Sequence, residues 1–230
     1  MKLKIKSLQA FNGDSFIISL YNNEDIKNII IDGGISKTYI RSLSSEVKLI
    51  SELNQTIDLM FITHVDDDHI GGIISFYEDE DTCKTIVKRV VYNSALCLAK
   101  HFKTTYDSSR EIEINKNSDT KTSYQQGKTL EAELLKYDLL EYNIIKSMDR
   151  IFIGDGIITI LTPTEEDLKK LNKRWERETS DIRYVSAHES DYQSSIEHLL
   201  LNDKYIKDNS LVNRTSISFL LEYGVFKILM

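Results

Sequence analysis

A short run of metal-ligand side chains directly after an apolar segment constrains this chain more than any other feature. Residues 63–72 read Thr-His-Val-Asp-Asp-Asp-His-Ile-Gly-Gly, and residues 57–62 before them are largely apolar, as in a buried strand. Two histidines and three carboxylates therefore meet at one strand end. Adjacent aspartates repel one another, which raises their pKa values unless a cation lies among them. The segment predicts a divalent-metal site.

The ligand types narrow the choice of metal. Imidazoles suit zinc, manganese or iron, and carboxylates add harder oxygen donors. The H-x-D-x-D-H segment therefore supplies nitrogen and oxygen ligands for one or two ions. Two alternatives compete with a metal site. A solvated acidic turn would require the two histidines to fall together by chance. An EF-hand calcium loop would require an oxygen ligand where Ile70 stands.

The composition indicates one globular domain spanning 1–230. The 230 residues are 41% hydrophobic, which is enough for a sizeable core. A net charge of −7 gives no overall attraction to nucleic acid or an anionic membrane. Cys83 and Cys97 form no C-x-x-C pair, so neither a disulfide framework nor a cysteine zinc site is indicated. No secretory signal or membrane-spanning stretch stands out, which predicts a cytoplasmic location.

Strands and helices alternate in the predicted first half. Asn12-Gly13 predicts a two-residue hairpin between strand 2–10 and the apolar run from Ser15. A strand ending at Ile31 precedes Asp32-Gly33-Gly34, and a strand is predicted over 86–92. A helix is expected between them, with apolar residues at three- and four-residue steps at Ile40, Leu43, Val47, Ile50 and Leu53.

The second half is predicted to open with a loop and helical insertion over about 101–149. Leucines between Leu130 and Leu140 mark its helix, and Gly154-Asp155-Gly156 predicts a turn into a strand. Thr162-Pro163-Thr164-Glu165 predicts a helix start, with Thr162 as N-cap and Glu165 closing a capping box. A hairpin over 216–229 is predicted to follow.

The motif resembles the first metal motif of the metallo-β-lactamase superfamily, usually H-x-H-x-D-H, with Asp66 in place of the second histidine. The chain is most similar to the metallo-β-lactamase-like domain of bacterial competence-type DNA-uptake proteins and their stand-alone relatives, where H-x-D-x-D-H-x-G-G is usual. Residues 13–18, 30–34 and 213–221 also fit that subgroup. The resemblance implies an α/β fold, the four-layer αββα sandwich, here its first half and the start of the second.

The resemblance also implies a binuclear metal site. His64 and Asp66 would bind the first ion and Asp68 and His69 the second, with zinc or manganese as the metal. Asp68 would also position the attacking hydroxide, while Asp67 matches a variable position and is expected to be solvated.

Further roles follow from the same resemblance. Asp32 would lie behind the ligands as an acceptor that orients one of them, unless it is a plain turn residue. Asn213 falls where many members have another metal-binding histidine, so it would contact substrate or a metal-bound water, unless it forms a turn or caps a strand. His101, His188 and His198 are expected to be structural or surface residues.

The resemblance implies hydrolysis by a metal-bound hydroxide, with a phosphodiester in nucleic acid or a nucleotide as the expected substrate. Two alternatives stay open: hydrolysis of a lactam, lactone or thioester, and a non-catalytic metal-binding or interaction module. Relatives continue past the strand equivalent to 225–230 into a Gly-Asp element and a histidine motif. The chain is therefore expected to be incomplete at its carboxyl terminus, with water filling several metal positions.

Overall fold

Two β-sheets packed face to face organise the computed structural model, which describes residues 1–23, 25–106, 123–177, 195–202 and 210–230. The first sheet has the strand order β1-β2-β3-β4-β5. Strands β1, β2 and β3 pair antiparallel, whereas β3, β4 and β5 run parallel. Its strands are β1 (Lys2–Ser7), β2 (Phe16–Asn22), β3 (Asp25–Ile31), β4 (Ile57–Phe61) and β5 (Val90–Val91).

The second sheet is an antiparallel meander in the order β6-β7-β8-β9. Its strands are β6 (Arg150–Ile153), β7 (Gly156–Thr162), β8 (Ser218–Tyr223) and β9 (Phe226–Leu229). The predicted turn at Gly154-Asp155 and the final hairpin are both confirmed.

Helices follow the strands at several points. A continuous helix consists of α1 (Ser36–Thr38), a π-helical turn (Tyr39–Leu43) and α2 (Ser44–Glu52). The others are α3 (Asp67–Glu78), α4 (Ala95–Phe102), α5 (Ser123–Lys136), α6 (Glu165–Arg177), α7 (Ile196–Asn202) and α8 (Leu211–Arg214), with a 3₁₀ turn at Lys84–Ile86.

Alternating side chains on the first sheet divide the core into two layers. Ile18, Ile29 and Phe61 face the second sheet, where Phe61 stacks on Phe219 with ring centroids 4.5 Å apart. Ile30 and Met60 belong to the cluster formed with the helices. The predicted mixed α/β sandwich of two sheets and helices is confirmed.

The predicted hairpin of the first two strands is confirmed, but its predicted two-residue turn at Asn12-Gly13 is wrong. Strands β1 and β2 do pair, but they end at Ser7 and begin at Phe16, so a longer loop joins them. Within it, the Gly13 amide donates to the Ala10 carbonyl at 3.2 Å. The loop lies against the motif segment, and this tertiary contact overrides the local turn preference of Asn-Gly.

The predicted start of α6 is also wrong by two residues. Thr162 is the last residue of β7, and its hydroxyl donates to the Ser216 carbonyl at 2.8 Å. Thr164 is the capping residue instead, because its hydroxyl accepts from the Asp167 amide at 3.2 Å and contacts the Asp167 carboxylate at 2.6 Å. The N-cap is therefore the second threonine, and Asp167, not Glu165, is its partner at the third helical position.

Other element boundaries also differ. The strand predicted over 86–92 is reduced to β5, preceded by the 3₁₀ turn. Ile40 is 72% exposed and Leu53 56% exposed, although the helix pattern placed both on its buried face. The π turn adds a residue to one helical turn, which rotates Ile40 outward while Tyr39 and Leu43 face inward. Of the insertion predicted over about 101–149, residues 107–122 lie outside the described residues.

Within the described ranges, no helix combines the length and apolar character that crossing a bilayer requires. The cytoplasmic location stays a prediction.

Candidate metal centre

The candidate centre lies where two parallel strands end at the same edge of the first sheet. Asp32 follows β3, and Thr63 and His64 follow β4 after one residue. The Asp32 amide donates to the Phe61 carbonyl at 2.9 Å, which ties the two strand ends together. Asp32 has φ of 54°, a left-handed conformation that aspartate tolerates better than most residues. Its side chain is thereby aimed at the end of β4.

Three glycines let neighbouring loops meet around this edge. A Cβ on Gly13 would lie 1.6 Å from the Asp68 carbonyl oxygen, and one on Gly72 would lie 2.0 Å from the Gly33 carbonyl oxygen. The Gly33 amide also donates to the His69 carbonyl at 2.7 Å. Through these contacts, the segments around residues 13 and 33 pack directly against the motif.

Helix α3 presents the second half of the motif. Asp66 is its N-cap residue, and Asp67 and Asp68 lie in the first turn. Carboxylates are favourable there because the helix dipole and unpaired amides make a helix N-terminus positive. The helix begins at Asp67 and so includes Asp68 and His69.

The four predicted ligands form two adjacent pairs. His64 Nε2 lies 3.7 Å from Asp66 Oδ2, and His69 Nε2 lies 3.8 Å from Asp68 Oδ1. The two imidazole rings are 3.9 Å apart between centroids. Each pair therefore offers one nitrogen and one oxygen donor, and the pairs meet through the two rings.

Asp32 is hydrogen-bonded on both carboxylate oxygens. Oδ1 accepts the Thr63 amide at 2.8 Å, and Oδ2 accepts the Thr63 hydroxyl at 2.6 Å. The same Oδ2 lies 2.8 Å from Nδ1 of His69. A carboxylate at this place can only accept, so His69 donates through Nδ1, and in the neutral ring Nε2 keeps a free lone pair.

His64 is held through hydroxyl groups. Its Nδ1 lies 2.9 Å from the Thr63 hydroxyl oxygen and 3.2 Å from the Ser216 hydroxyl oxygen. Ser216 comes from the segment before β8, and the Ile217 amide donates to the Thr63 carbonyl at 3.0 Å. The second sheet thus contributes directly to the arrangement of the first histidine.

The two histidines differ electrostatically. Burial, reinforced by the neighbouring His69, lowers the pKa of His64 to about 4. Burial also acts to lower the pKa of His69, but Asp32, Asp68 and Asp14 together outweigh it and raise that pKa. His64 is therefore neutral at physiological pH, which is the state that binds a metal.

Burial also raises the pKa of Asp68, against the opposing effect of His69. Asp66 and Asp67 add to the increase as like charges. The repulsion predicted from the aspartate run is therefore present at Asp68, but burial is the larger cause.

Two further residues named from the sequence lie apart from these pairs. Asp67 is exposed, and its carboxylate accepts a hydrogen bond from the Gln126 side chain on α5. Asn213 is exposed in α8, and the neighbouring Ser216 is the residue that contacts His64. Among the other histidines, His101 pairs with Glu165 at 3.4 Å on the surface, His198 lies exposed in α7, and His188 falls outside the described residues.

Sequence reasoning missed three contributors: Thr63, Ser216 and Asp14. Thr63 and Ser216 contact His64, whereas Asp14 acts on His69 through its charge. Asp14 and Ser216 lie inside segments that drew attention by resemblance, yet neither received a role. For Thr63, the available signal in the sequence was its hydroxyl side chain directly before a candidate ligand, His64.

The donor set fits divalent metal in type. Two imidazole nitrogens with free lone pairs and two carboxylates match zinc or manganese, and each imidazole is oriented through its other nitrogen. Over the described ranges, however, no three His, Cys, Asp or Glu side chains converge closely enough to hold an ion together. Each pair therefore leaves coordination positions for other donors.

A narrow cleft lies beside His64. It lies between the segments that follow β4 and β5 and the helices α6 and α8. Its lining residues are Thr63, His64, Val65, Tyr92, Asn93, Leu171, Val212 and Thr215.

Two solved structures resemble the chain weakly. A metallo-β-lactamase from Staphylococcus aureus subsp. aureus COL is 15% identical with a TM-score of 0.37, covering 96% of this chain and 39% of its own. A Thermotoga maritima protein named for the same family is 14% identical with a TM-score of 0.40, covering 100% and 78%. The chain thus spans well under half of the first of these proteins. These similarities are too low to carry an argument alone.

No curated protein matches the chain significantly. The match that decides the family is to a family model described as the metallo-beta-lactamase superfamily, over residues 10–131. That range is more than half of the chain and contains β2 to β5, Asp32 and all four predicted ligands. By this match the chain belongs to the metallo-β-lactamase superfamily.

Proposed function

We propose that this protein is a metal-dependent hydrolase that cleaves a phosphodiester in a nucleotide or nucleic acid. The observation that carries the proposal is the pairing of His64 with Asp66 and His69 with Asp68, with the two imidazoles 3.9 Å apart. Both imidazoles use Nδ1 for other hydrogen bonds and leave Nε2 free. Two adjacent donor pairs suit a site for two divalent ions.

The four candidate ligands and Asp32 would have different roles. His64 with Asp66 and His69 with Asp68 hold zinc or manganese, and Asp32 orients His69 from behind. When bound, the ions lower the pKa of a water molecule and neutralise charge on the phosphate. Asp68 is half-buried beside His69 and is the carboxylate that would position the attacking hydroxide.

Asp66 favours the phosphodiester. A carboxylate in place of an imidazole makes the first pair harder and more anionic, which shifts preference somewhat toward manganese or magnesium. Such ions commonly act in phosphoryl-transfer sites.

The chain also carries a net charge of −7, so its overall surface does not attract a polyanion. Recognition of phosphate would then depend on the bound ions, and substrate affinity should depend only weakly on salt.

We also propose that the chain belongs with the competence-type subgroup. Asp66 within H-x-D-x-D-H-x-G-G supports this placement, as do the segments around Gly13, Asp32 and Ser216. Each of those segments contacts the motif, through Asp68, His69 or His64. A shared contact surface is a physical reason for the segments to occur together.

The test compares two chromogenic substrates with the purified chain in Mn²⁺, Mg²⁺ or Zn²⁺: a bis-aryl phosphodiester and a β-lactam. We expect metal-dependent hydrolysis of the phosphodiester, abolished in His69→Ala and kept in Asp67→Ala. Hydrolysis of the lactam alone would replace our proposal with the lactam, lactone or thioester alternative. Metal binding without hydrolysis of either substrate would favour the non-catalytic module.

A further inference from the structure

A continuous chain of hydrogen bonds joins the two candidate metal-binding histidines. It runs from His64 Nδ1 to the Thr63 hydroxyl at 2.9 Å, and from that hydroxyl to Asp32 Oδ2 at 2.6 Å. His69 Nδ1 completes it at 2.8 Å from the same Oδ2. Asp32 is 1% exposed, so water does not compete for this oxygen.

The positions of the protons along this chain follow from what each group can do. A carboxylate accepts, so both the Thr63 hydroxyl and His69 Nδ1 donate to Asp32. The Thr63 hydroxyl has a single proton, which is used on Asp32. Its oxygen can then only accept from His64, so His64 also carries its proton on Nδ1 and has a free Nε2.

Ser216 alone cannot impose this arrangement. Its hydroxyl lies 3.2 Å from His64 Nδ1 and is able either to donate or to accept there. Thr63 is constrained where Ser216 is not, because Asp32 fixes the direction of its hydroxyl. The Thr63 backbone is fixed too, by its amide on Asp32 at 2.8 Å and by the Ile217 amide on its carbonyl at 3.0 Å.

We propose that Thr63 is a positioning residue through which the one carboxylate of Asp32 sets the tautomer of both histidines. Asp32 acts on His69 directly and on His64 only through the Thr63 hydroxyl. The inference concerns the metal-free protein, and its consequence for metal affinity rests on the proposed function. Removing the Thr63 hydroxyl should therefore disturb the His64 pair and spare the His69 pair.

The decisive measurement is long-range ¹H–¹⁵N NMR of the histidine rings in the metal-free protein at pH 8, with His64→Gln and His69→Gln used for assignment. We expect the Nδ1–H tautomer at both rings. In Thr63→Val, which keeps the shape and loses the hydroxyl, His64 should shift toward the Nε2–H tautomer while His69 is unchanged. Thr63→Ser should restore the original pattern at His64.

Metal titration by calorimetry provides the second readout. We expect Thr63→Val to weaken one of two Mn²⁺ or Zn²⁺ sites by about 10–100-fold, the usual effect of losing a residue that orients a ligand. An unchanged His64 tautomer in folded Thr63→Val, or an Nε2–H tautomer in the unmodified protein, would overturn the inference. The expected NMR pattern without any metal binding would instead refute the proposed function and leave the inference standing.

Discussion

Asp32 and Glu131 are two deeply buried carboxylates with different surroundings. Asp32 is 1% exposed and Glu131 is 3% exposed. Each accepts a backbone amide and a hydroxyl: Asp32 from Thr63, and Glu131 from the Leu96 amide at 2.8 Å and the Tyr106 hydroxyl. The difference is the third donor, which is the imidazole of His69 at Asp32 and the Ser94 hydroxyl at Glu131.

That third donor distinguishes a candidate site from a structural contact. The donors to Glu131 belong to the N-cap and first turn of α4 and to a tyrosine side chain, and none of them is a metal ligand of the candidate centre. The donor from His69 differs, because the Nε2 of the same ring is free and lies beside Asp68. Burial of a carboxylate is therefore weak evidence for function. A buried carboxylate indicates a metal site when one of its hydrogen-bond donors has a second atom that is free to bind the metal.

Between the two buried carboxylates, the largest effect should follow from Asp32→Ala. The change removes the acceptor of His69 and of Thr63, so both imidazoles lose their imposed orientation. We expect the affinity for Mn²⁺ or Zn²⁺ to fall by about 10–100-fold, measured by calorimetry. Asp32→Asn, which keeps the shape, provides the test if the alanine variant does not fold. Unchanged affinity in either folded variant would mean that Asp32, like Glu131, supports only the fold.

Glu131→Ala should destabilise the protein without affecting metal binding. It leaves the Leu96 amide and the Tyr106 hydroxyl without their acceptor, which costs about 1–3 kcal/mol in the free energy of unfolding. Urea unfolding measures this loss, and calorimetry at a temperature where the variant is folded checks the metal affinity. A matching loss of metal affinity would mean that Glu131 supports the site after all.

The pH dependence of stability offers a smaller effect at Glu131. Burial raises the pKa of Glu131, although the hydrogen bonds from Tyr106 and Leu96 oppose the shift. The folded state therefore holds this proton more tightly than the unfolded state. The stabilisation from protonated Glu131 is complete below the unfolded pKa of about 4.5 and is lost as pH rises through the folded pKa.

We therefore expect the difference in unfolding free energy between the unmodified protein and Glu131→Gln to decrease as pH rises across that window. Urea unfolding at a series of pH values from 4 to 8 measures it, and taking the difference removes the other titrating groups. A difference that grows with pH would show that hydrogen bonding outweighs burial at this carboxylate.

The smallest effect should follow from Asp67→Ala. The exposed carboxylate contacts Gln126 and the positive end of α3, so its loss should cost at most about 1 kcal/mol in unfolding free energy. Metal affinity should not change, whereas Asp68→Ala and His69→Ala should both abolish one of the two sites. Equal losses from all three changes would mean that the assignment of ligands within the motif is wrong.

The sequence predicted the parts of the fold that depend on local patterns. Apolar runs beside turn signals correctly indicated β2, β7 and the final hairpin, and the motif was correctly placed after a buried strand. Local patterns failed where distant contacts decide the outcome. Asn12-Gly13 is in a longer loop packed on the motif, and Thr162 is held by the Ser216 carbonyl at 2.8 Å instead of capping α6.

The same division applies to the candidate site. The four proposed ligands are within six residues of one another, so their spacing alone suggested a joint role. Thr63 and Ser216 are separated by 153 positions, and their convergence on His64 depends on how the two sheets pack. Spacing along one segment can suggest a ligand set, but residues that orient the ligands from other segments require the folded structure.

The contact between Gly33 and Gly72 has a practical consequence for engineering. A methyl group on Gly72 would lie 2.0 Å from the Gly33 carbonyl oxygen, so random substitution there should yield almost no folded protein. Libraries that aim to alter substrate choice should therefore leave this glycine pair intact.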